Sequence, residues 1–149
     1  MWVSFSTASR ALHRSAEALA AGRPTNHSRS VPTPTELGAH GERIAVAYLT
    51  DAGLRVLDRN WRCRDGELDI VAREGDALVF CEVKTRRGTD YGQPVEAVGR
   101  VKQRRLRTLA QRWLAAHEEH APELRFDVVG VLVRPATPAV VTHLRAAFQ

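Results

Sequence analysis

With 149 residues, 44% of them hydrophobic and 26% charged, the chain has the size and balance of a single globular domain. It holds no run of eighteen apolar residues, so no transmembrane span is indicated, and its two cysteines, Cys63 and Cys81, lack CxxC spacing. The net charge of +5 is unevenly placed: residues 84–112 carry nine basic side chains against only Asp90 and Glu96, while residues 36–83 are net acidic.

Residues 1–35 read as an extension, Ser-, Ala- and Arg-rich with Glu17 as the one acid. Leu12 to Ala21 can form a short helix, but Pro24, Pro32 and Pro34 stop it from continuing. A disordered tail, or sequence upstream of the true start, is the expectation for this segment. The domain proper is expected over residues 36–149. It opens with a helix from about Thr35 to Ala52, with Thr35 as cap and Leu37, Gly41, Ile44 and Tyr48 along one side. Glu42 falls at the edge of that stripe, in line with Ala45 and Leu49. Gly53 ends the helix, and Leu54 to Asn60 reads as a strand.

Two further strands follow, Gly66 to Ala72 and Ala77 to Lys84, joined by the polar turn Arg73-Glu74-Gly75-Asp76. Side chains alternate faces along a strand, so Glu82 and Lys84 share one face and Val83 takes the other. Cys81 alternates into this strand as a small apolar packing group. A twisted hairpin brings Asp69 beside the Glu82–Lys84 pair. Two carboxylates and an ammonium at one end of a small sheet suit a hard divalent cation and an activated water, which points to phosphodiester chemistry.

Arg87 to Pro94 is a loop by its turn residues, followed by a helix from about Val95 to His117. Leu106, Leu109, Trp113 and Leu114 form its apolar stripe. Lys102 stands one turn before Leu106 and points inward; Arg104 and Arg107 lie outside, with Arg105 and Arg112 at the flanks. Phe126 to Val133 is a β-branched run typical of a buried strand, and Ala139 to Leu144 makes the last one. The order α-β-β-β-α-β-β gives an α/β fold, a small mixed sheet of about five strands flanked by helices. Positive charge therefore gathers beside the acidic hairpin, the layout of a polyanion-binding protein.

Several blocks come in a fixed order: Gly41-Glu42, Arg59-Asn60-Trp61-Arg62, Gly66-Glu67-Leu68-Asp69, Phe80-Cys81-Glu82-Val83-Lys84-Thr85-Arg86 and Arg125-Phe126-Asp127-Val128-Val129. Asp69 with Glu82-Val83-Lys84 resembles the PD-(D/E)xK nuclease motif, and the whole pattern, over about residues 36–144, resembles the YraN or UPF0102 family of predicted endonucleases. Gly66-Glu67 departs from the wider superfamily, which often has Pro there. The resemblance implies a restriction-endonuclease-like fold, distantly similar to the archaeal Holliday-junction resolvases, which share a helix Glu and the Asp…Glu-x-Lys core. It implies a cytoplasmic, metal-dependent endonuclease acting on DNA, including branched or flapped forms. Resolvase-type work takes two cuts, which favours a homodimer.

Each residue then has an expected task. Asp69 and Glu82 are metal ligands with the Val83 main-chain carbonyl as a third oxygen, a set that favours Mg²⁺ or Mn²⁺ over Zn²⁺. Lys84, beside two carboxylates, stays protonated, orients the water and neutralises charge on the phosphorane. Glu42 completes the acid cluster from the helix, binding a second metal or the attacking water; Glu67, on the strand face of Asp69, is either a reserve ligand or a solvent-facing residue. Arg86, Arg87, Lys102, Arg104 and Arg105 are the expected nucleic-acid contacts. Trp61 either stacks on an unpaired base or anchors the fold, and His117 and His120 mark a solvated helix end. The alternative function is a non-catalytic nucleic-acid-binding protein that retains the same fold.

Overall fold

A computed structural model of the chain describes residues 32–88 and 98–149. The expectations for residues 1–31, for most of the Arg87–Pro94 loop and for a helix start at Val95 lie outside the described residues. In chain order the elements are α1 (Pro34–Asp51), β1 (Arg55–Cys63), β2 (Gly66–Glu74), β3 (Ala77–Arg87), α2 (Arg100–His117), β4 (Glu123–Arg134) and β5 (Thr137–Phe148). This is the expected α/β order, with one five-stranded mixed sheet flanked by two helices.

Helix α1 starts slightly earlier than its periodicity suggests. Thr33, not Thr35, is the cap: its hydroxyl accepts from the Glu36 main-chain N–H, and the Glu36 carboxylate accepts from the Thr33 N–H at 2.7 Å. Pro34 takes the first helical position, where its missing N–H costs nothing. The proline expected to bar a helix from the amino-terminal side therefore opens one. The buried line of α1 is Gly41, Ala45 and Leu49, with Ile44 and Tyr48 half-buried beside it.

The strands lie in sequence order across the sheet, β1-β2-β3-β4-β5, antiparallel throughout except for β3 and β4, which run parallel. A parallel pair needs a long crossover, and α2 sits within it. The sheet has two covered faces. On one, Leu68, Val71, Leu78, Phe80, Phe126 and Val128 pack against Leu106, Leu109, Ala110 and Trp113 of α2. On the other, Ile70, Ala72, Val79, Cys81, Val129 and Val131 pack against Ala45 and Leu49 of α1. Burial pushes the Cys81 thiol far up, as befits a packing group.

Strands β4 and β5 are longer than their apolar runs suggest. Pro135 and Ala136 make the turn, Pro138 is accommodated in the edge strand β5, and the pairing continues to Phe148, which stacks on Phe126 at 4.8 Å. Asp127, in the middle of β4, is 1% exposed, a buried charge that alternation alone does not reveal. Arg125 grips it with two nitrogens, at 2.9 and 3.1 Å, and His143 and the Ala146 main-chain N–H complete its partners. Burial raises Asp127, but His143, Arg125 and the Ala146 amide together outweigh it and hold the carboxyl below its ordinary value. Arg125 and Arg145 also share Glu74 of β2, so this network ties three strands together.

Candidate functional site

The site is made where β2 and β3 part. Their ladder runs from Glu74↔Ala77 to Ile70↔Cys81 and ends there. Beyond it, the Asp69 carboxylate takes the place of a main-chain acceptor: its Oδ2 accepts the Val83 N–H at 2.7 Å. Glu82 continues the face of Leu78 and Phe80 toward α2, and Val83 continues the face of Val79 and Cys81 toward α1. Glu82 and Lys84 thus share a face, as expected, and both are half-buried.

Helix α1 delivers Glu42. At Gly41 the helix lies so close to β3 that any Cβ would collide with the Thr85 side chain. That approach brings Glu42 near enough to Asp69 to raise its proton affinity. Burial is the larger cause, the Glu82 charge comes next, and Glu42 adds to it; the Val83 amide and Lys102 act in the other direction. The Asp69 carboxyl is pushed up to about 7. Carboxyls raised in this way occur at functional sites and also in structural charge networks.

Lys102 reaches the cluster from α2. Its Nζ pairs with Glu82 Oε1 at 2.9 Å, and the Glu82 side chain is only 13% exposed. The inward direction expected for Lys102 holds, and what it meets is an acid of the site. Arg105 is also committed within the protein: its Nε donates to the Asp65 carbonyl at 3.2 Å, and it lies against Gly66, whose φ of +139° and lack of a side chain make room. Arg112 holds the Asp65 carboxylate at 3.1 Å. Both therefore fasten α2 to the β1–β2 turn. Arg86, Arg87 and Arg104 are exposed. Glu67 does not join the acids; it pairs with Arg62 across β1 and β2.

Two aromatic expectations also resolve. Trp61 is half-buried against the α2-side core, an anchor. His117 does not stand free at the helix end: its ring stacks on Trp113 at 4.2 Å and its Nε2 lies 3.4 Å from Asp58, which also accepts the Trp113 indole N–H. Sequence reasoning missed this trio and the Asp127 network. Asp127 carried one signal, an acid inside an otherwise apolar β run; Asp58 carried none.

The donors suit a hard cation. Asp69, Glu82 and a main-chain carbonyl offer oxygen only. Among the described residues no three His, Cys, Asp or Glu side chains converge as a ready-made metal cage. Mg²⁺ rarely uses such a cage; it keeps several waters and takes one or two carboxylates. Burial is the main cause of the rise of Asp69; the Glu82 and Glu42 charges add to it, and that added part is what a cation would offset.

A single mixed sheet between two helices, with Asp69 on the Val83 amide and Glu82 on Lys102 where β2 and β3 part, defines a small α/β protein. The chain belongs to the family described as uncharacterised protein family UPF0102, which matches residues 41–131, a span that includes Glu42, Asp69, Glu82, Lys84, Lys102 and Asp127. It is 59% identical over 109 residues to a UPF0102 protein of Beutenbergia cavernae, covering 73% of this chain and 92% of that one. A UPF0102 protein of Rhodococcus opacus is 54% identical over 112 residues, 75% of this chain and 95% of the relative. One from Streptomyces griseus is 54% identical over 110 residues, covering 73% and 92%. No helix among the described residues is long and apolar enough to cross a membrane.

Proposed function

We propose that the protein is a metal-dependent endonuclease that hydrolyses phosphodiester bonds in DNA, with branched and flapped forms among its substrates. The observation that carries this reading is the Asp69 carboxyl, bonded to the Val83 amide at 2.7 Å and pushed up to about 7 by its burial first and by the Glu82 and Glu42 charges next. Such a cluster favours a cation, and the adjacent basic segment favours a polyanion.

Asp69, Glu82 and the Val83 carbonyl are the residues to hold Mg²⁺ or Mn²⁺. Bound there, the ion supplies Lewis-acid polarisation of a phosphate oxygen and a more acidic water. Lys84, on the face of Glu82, directs its ammonium at the water and at charge developing on the phosphorane. Glu42 accepts a proton from that water. Lys102 exchanges its Glu82 contact for a phosphate oxygen, and Arg86, Arg87 and Arg104 follow the backbone of the nucleic acid. Paired cuts on a four-way junction come from two copies of the chain, in the cytoplasm.

One observation favours a second reading, a nucleic-acid-binding protein without catalysis: Lys102 already neutralises part of the cluster through Glu82. The test is incubation with labelled single-stranded, duplex, flapped and four-way DNA, and with RNA, under Mg²⁺, Mn²⁺ or chelator, with Asp69→Ala in parallel. Metal-dependent strand loss that vanishes in the variant supports the nuclease. Salt-sensitive binding with no strand loss replaces it with the second reading.

A further inference from the structure

The alternation of faces fails at one step of β1 and β2, beside Asp69. Trp61 pairs with Leu68, and both pack on the α2 side; Arg59 pairs with Ile70, which packs on the α1 side. Residues two apart in a strand ordinarily share a face. Between these two pairs, then, both strands make a half-turn, and the residues inside it are Asn60 of β1 and Asp69 of β2, the step at which the register passes from Arg59↔Ile70 to Trp61↔Leu68.

Asn60 takes a left-handed backbone, with φ +53°. Only Gly adopts this freely; among other residues Asn and Asp do so most readily, and β-branched residues scarcely at all. Asn60 is exposed, so core packing does not hold it in that conformation. The same half-turn takes the Asp69 side chain out of the regular pleat, to a place where its Oδ2 meets the Val83 N–H at 2.7 Å. Backbone outliers of this kind gather at functional sites.

We propose that Asn60 is a positioning residue of the acid cluster: its left-handed backbone sets the half-turn that turns Asp69 toward Val83 and Glu82. The role rests on the nuclease reading for its catalytic meaning, while its geometry can be tested without any activity. The distinction between backbone and side chain is built into the choice of variants. Asn60→Gly keeps the left-handed conformation and discards the amide; Asn60→Val keeps neither; Asn60→Ala is a milder change in case Val prevents folding.

The experiment follows the Val83 amide in ¹H–¹⁵N spectra of the full chain. Asp69→Ala first identifies the displacement caused by losing the carboxylate acceptor. The expected result is that Asn60→Val, or Asn60→Ala, moves the Val83 amide the same way while amides of Leu49 and Val128 stay in place, and that Asn60→Gly leaves Val83 at its wild-type position. An unmoved Val83 amide in both Asn60→Val and Asn60→Ala overturns the proposal. So does a loss in Asn60→Gly equal to that in Asn60→Val, because the backbone is then not what matters. The same proteins are assayed for cleavage. Displacement of Asp69 by about 1 Å costs on the order of 100-fold in kcat with KM little changed, and Gly restores it. If the wild type cleaves nothing while the Val83 amide follows residue 60, the nuclease reading fails and the positioning stands.

Discussion

Asp69 and Val83 are joined across β2 and β3 by a side-chain-to-main-chain hydrogen bond of 2.7 Å, one step beyond the last ladder pair, Ile70↔Cys81. The bond uses one carboxylate oxygen to hold the splayed strands in relation, and leaves the carboxyl beside Glu82. Burial and that neighbour keep Asp69 titrating at about 7, against an ordinary value of 3.8.

This raised value has a sign. The folded chain keeps a proton on Asp69 that the unfolded chain gives up near 3.8, so folding stability falls as pH climbs from about 4 to about 7, and the penalty is complete above that. Asp69→Asn carries no such penalty. Its stability relative to wild type is expected to grow across that window and level off, by on the order of 3 kcal/mol, in urea unfolding at about pH 4.5, 6 and 8. A difference independent of pH counts against the cluster.

Lys102 holds Glu82 at 2.9 Å, so a cation bound there under the proposed function would compete with it. Lys102→Met leaves a largely buried carboxylate without its 2.9 Å partner, which destabilises the fold when no metal is present. Added Mg²⁺ is expected to raise the melting temperature of this variant more than that of wild type, because binding to the folded state stabilises it. Differential scanning calorimetry with and without Mg²⁺ checks this; equal shifts in both proteins disprove the competition.

Gly41 has one purpose legible in the packing, close approach to Thr85. Gly41→Val forces α1 away from β3 and carries Glu42 with it. The expected loss is about 1–3 kcal/mol in chemical unfolding, as for other overpacked sites. Thr85→Ala, which removes the colliding Oγ1 and Cγ2, is expected to recover part of it in the double variant, giving a measurable coupling energy.

Asp127 is a structural charge. Asp127→Ala leaves Arg125 with Glu74 alone, leaves the buried His143 without its acid and frees the Ala146 amide, so about 3–5 kcal/mol of stability is expected to go. The loss should be visible as a lower urea midpoint and as faster amide exchange in β5. Replacement with little cost means the network is not what joins β4 to β5.

The basic surface divides by what each arginine holds. All four of Arg87, Arg104, Arg105 and Arg112 are exposed, but Arg105 and Arg112 also fasten the β1–β2 turn through Asp65. Neutralising Arg87 and Arg104 together is expected to weaken duplex binding and to flatten the dependence of log K on log salt by about 0.9 for each phosphate no longer neutralised. Arg112→Gln is expected to lower stability by up to about 1 kcal/mol and leave that slope unchanged. Fluorescence anisotropy across a salt series distinguishes the two.

Much of this protein is local in origin and was therefore readable from its residues. Helices α1 and α2, the hairpin around Gly75, the β-branched run of β4 and the shared face of Glu82 and Lys84 follow from periodicity and turn chemistry, which need no knowledge of distant neighbours. The order of motifs likewise anticipated the family. Alternation puts Glu67 on the face of Asp69, as a reserve ligand or a solvent-facing residue; the half-turn at Asn60 and Asp69 interrupts that alternation, and Glu67 pairs with Arg62. Only the tertiary structure could decide that Lys102 meets Glu82, that Arg105 serves Asp65, and that Asp127 lies in a network spanning β2, β4 and β5. The physical reason is the same in each case: a charge chooses its partner by distance in space, and the chain separations of these pairs are set by how the sheet folds over, not by any spacing along the sequence.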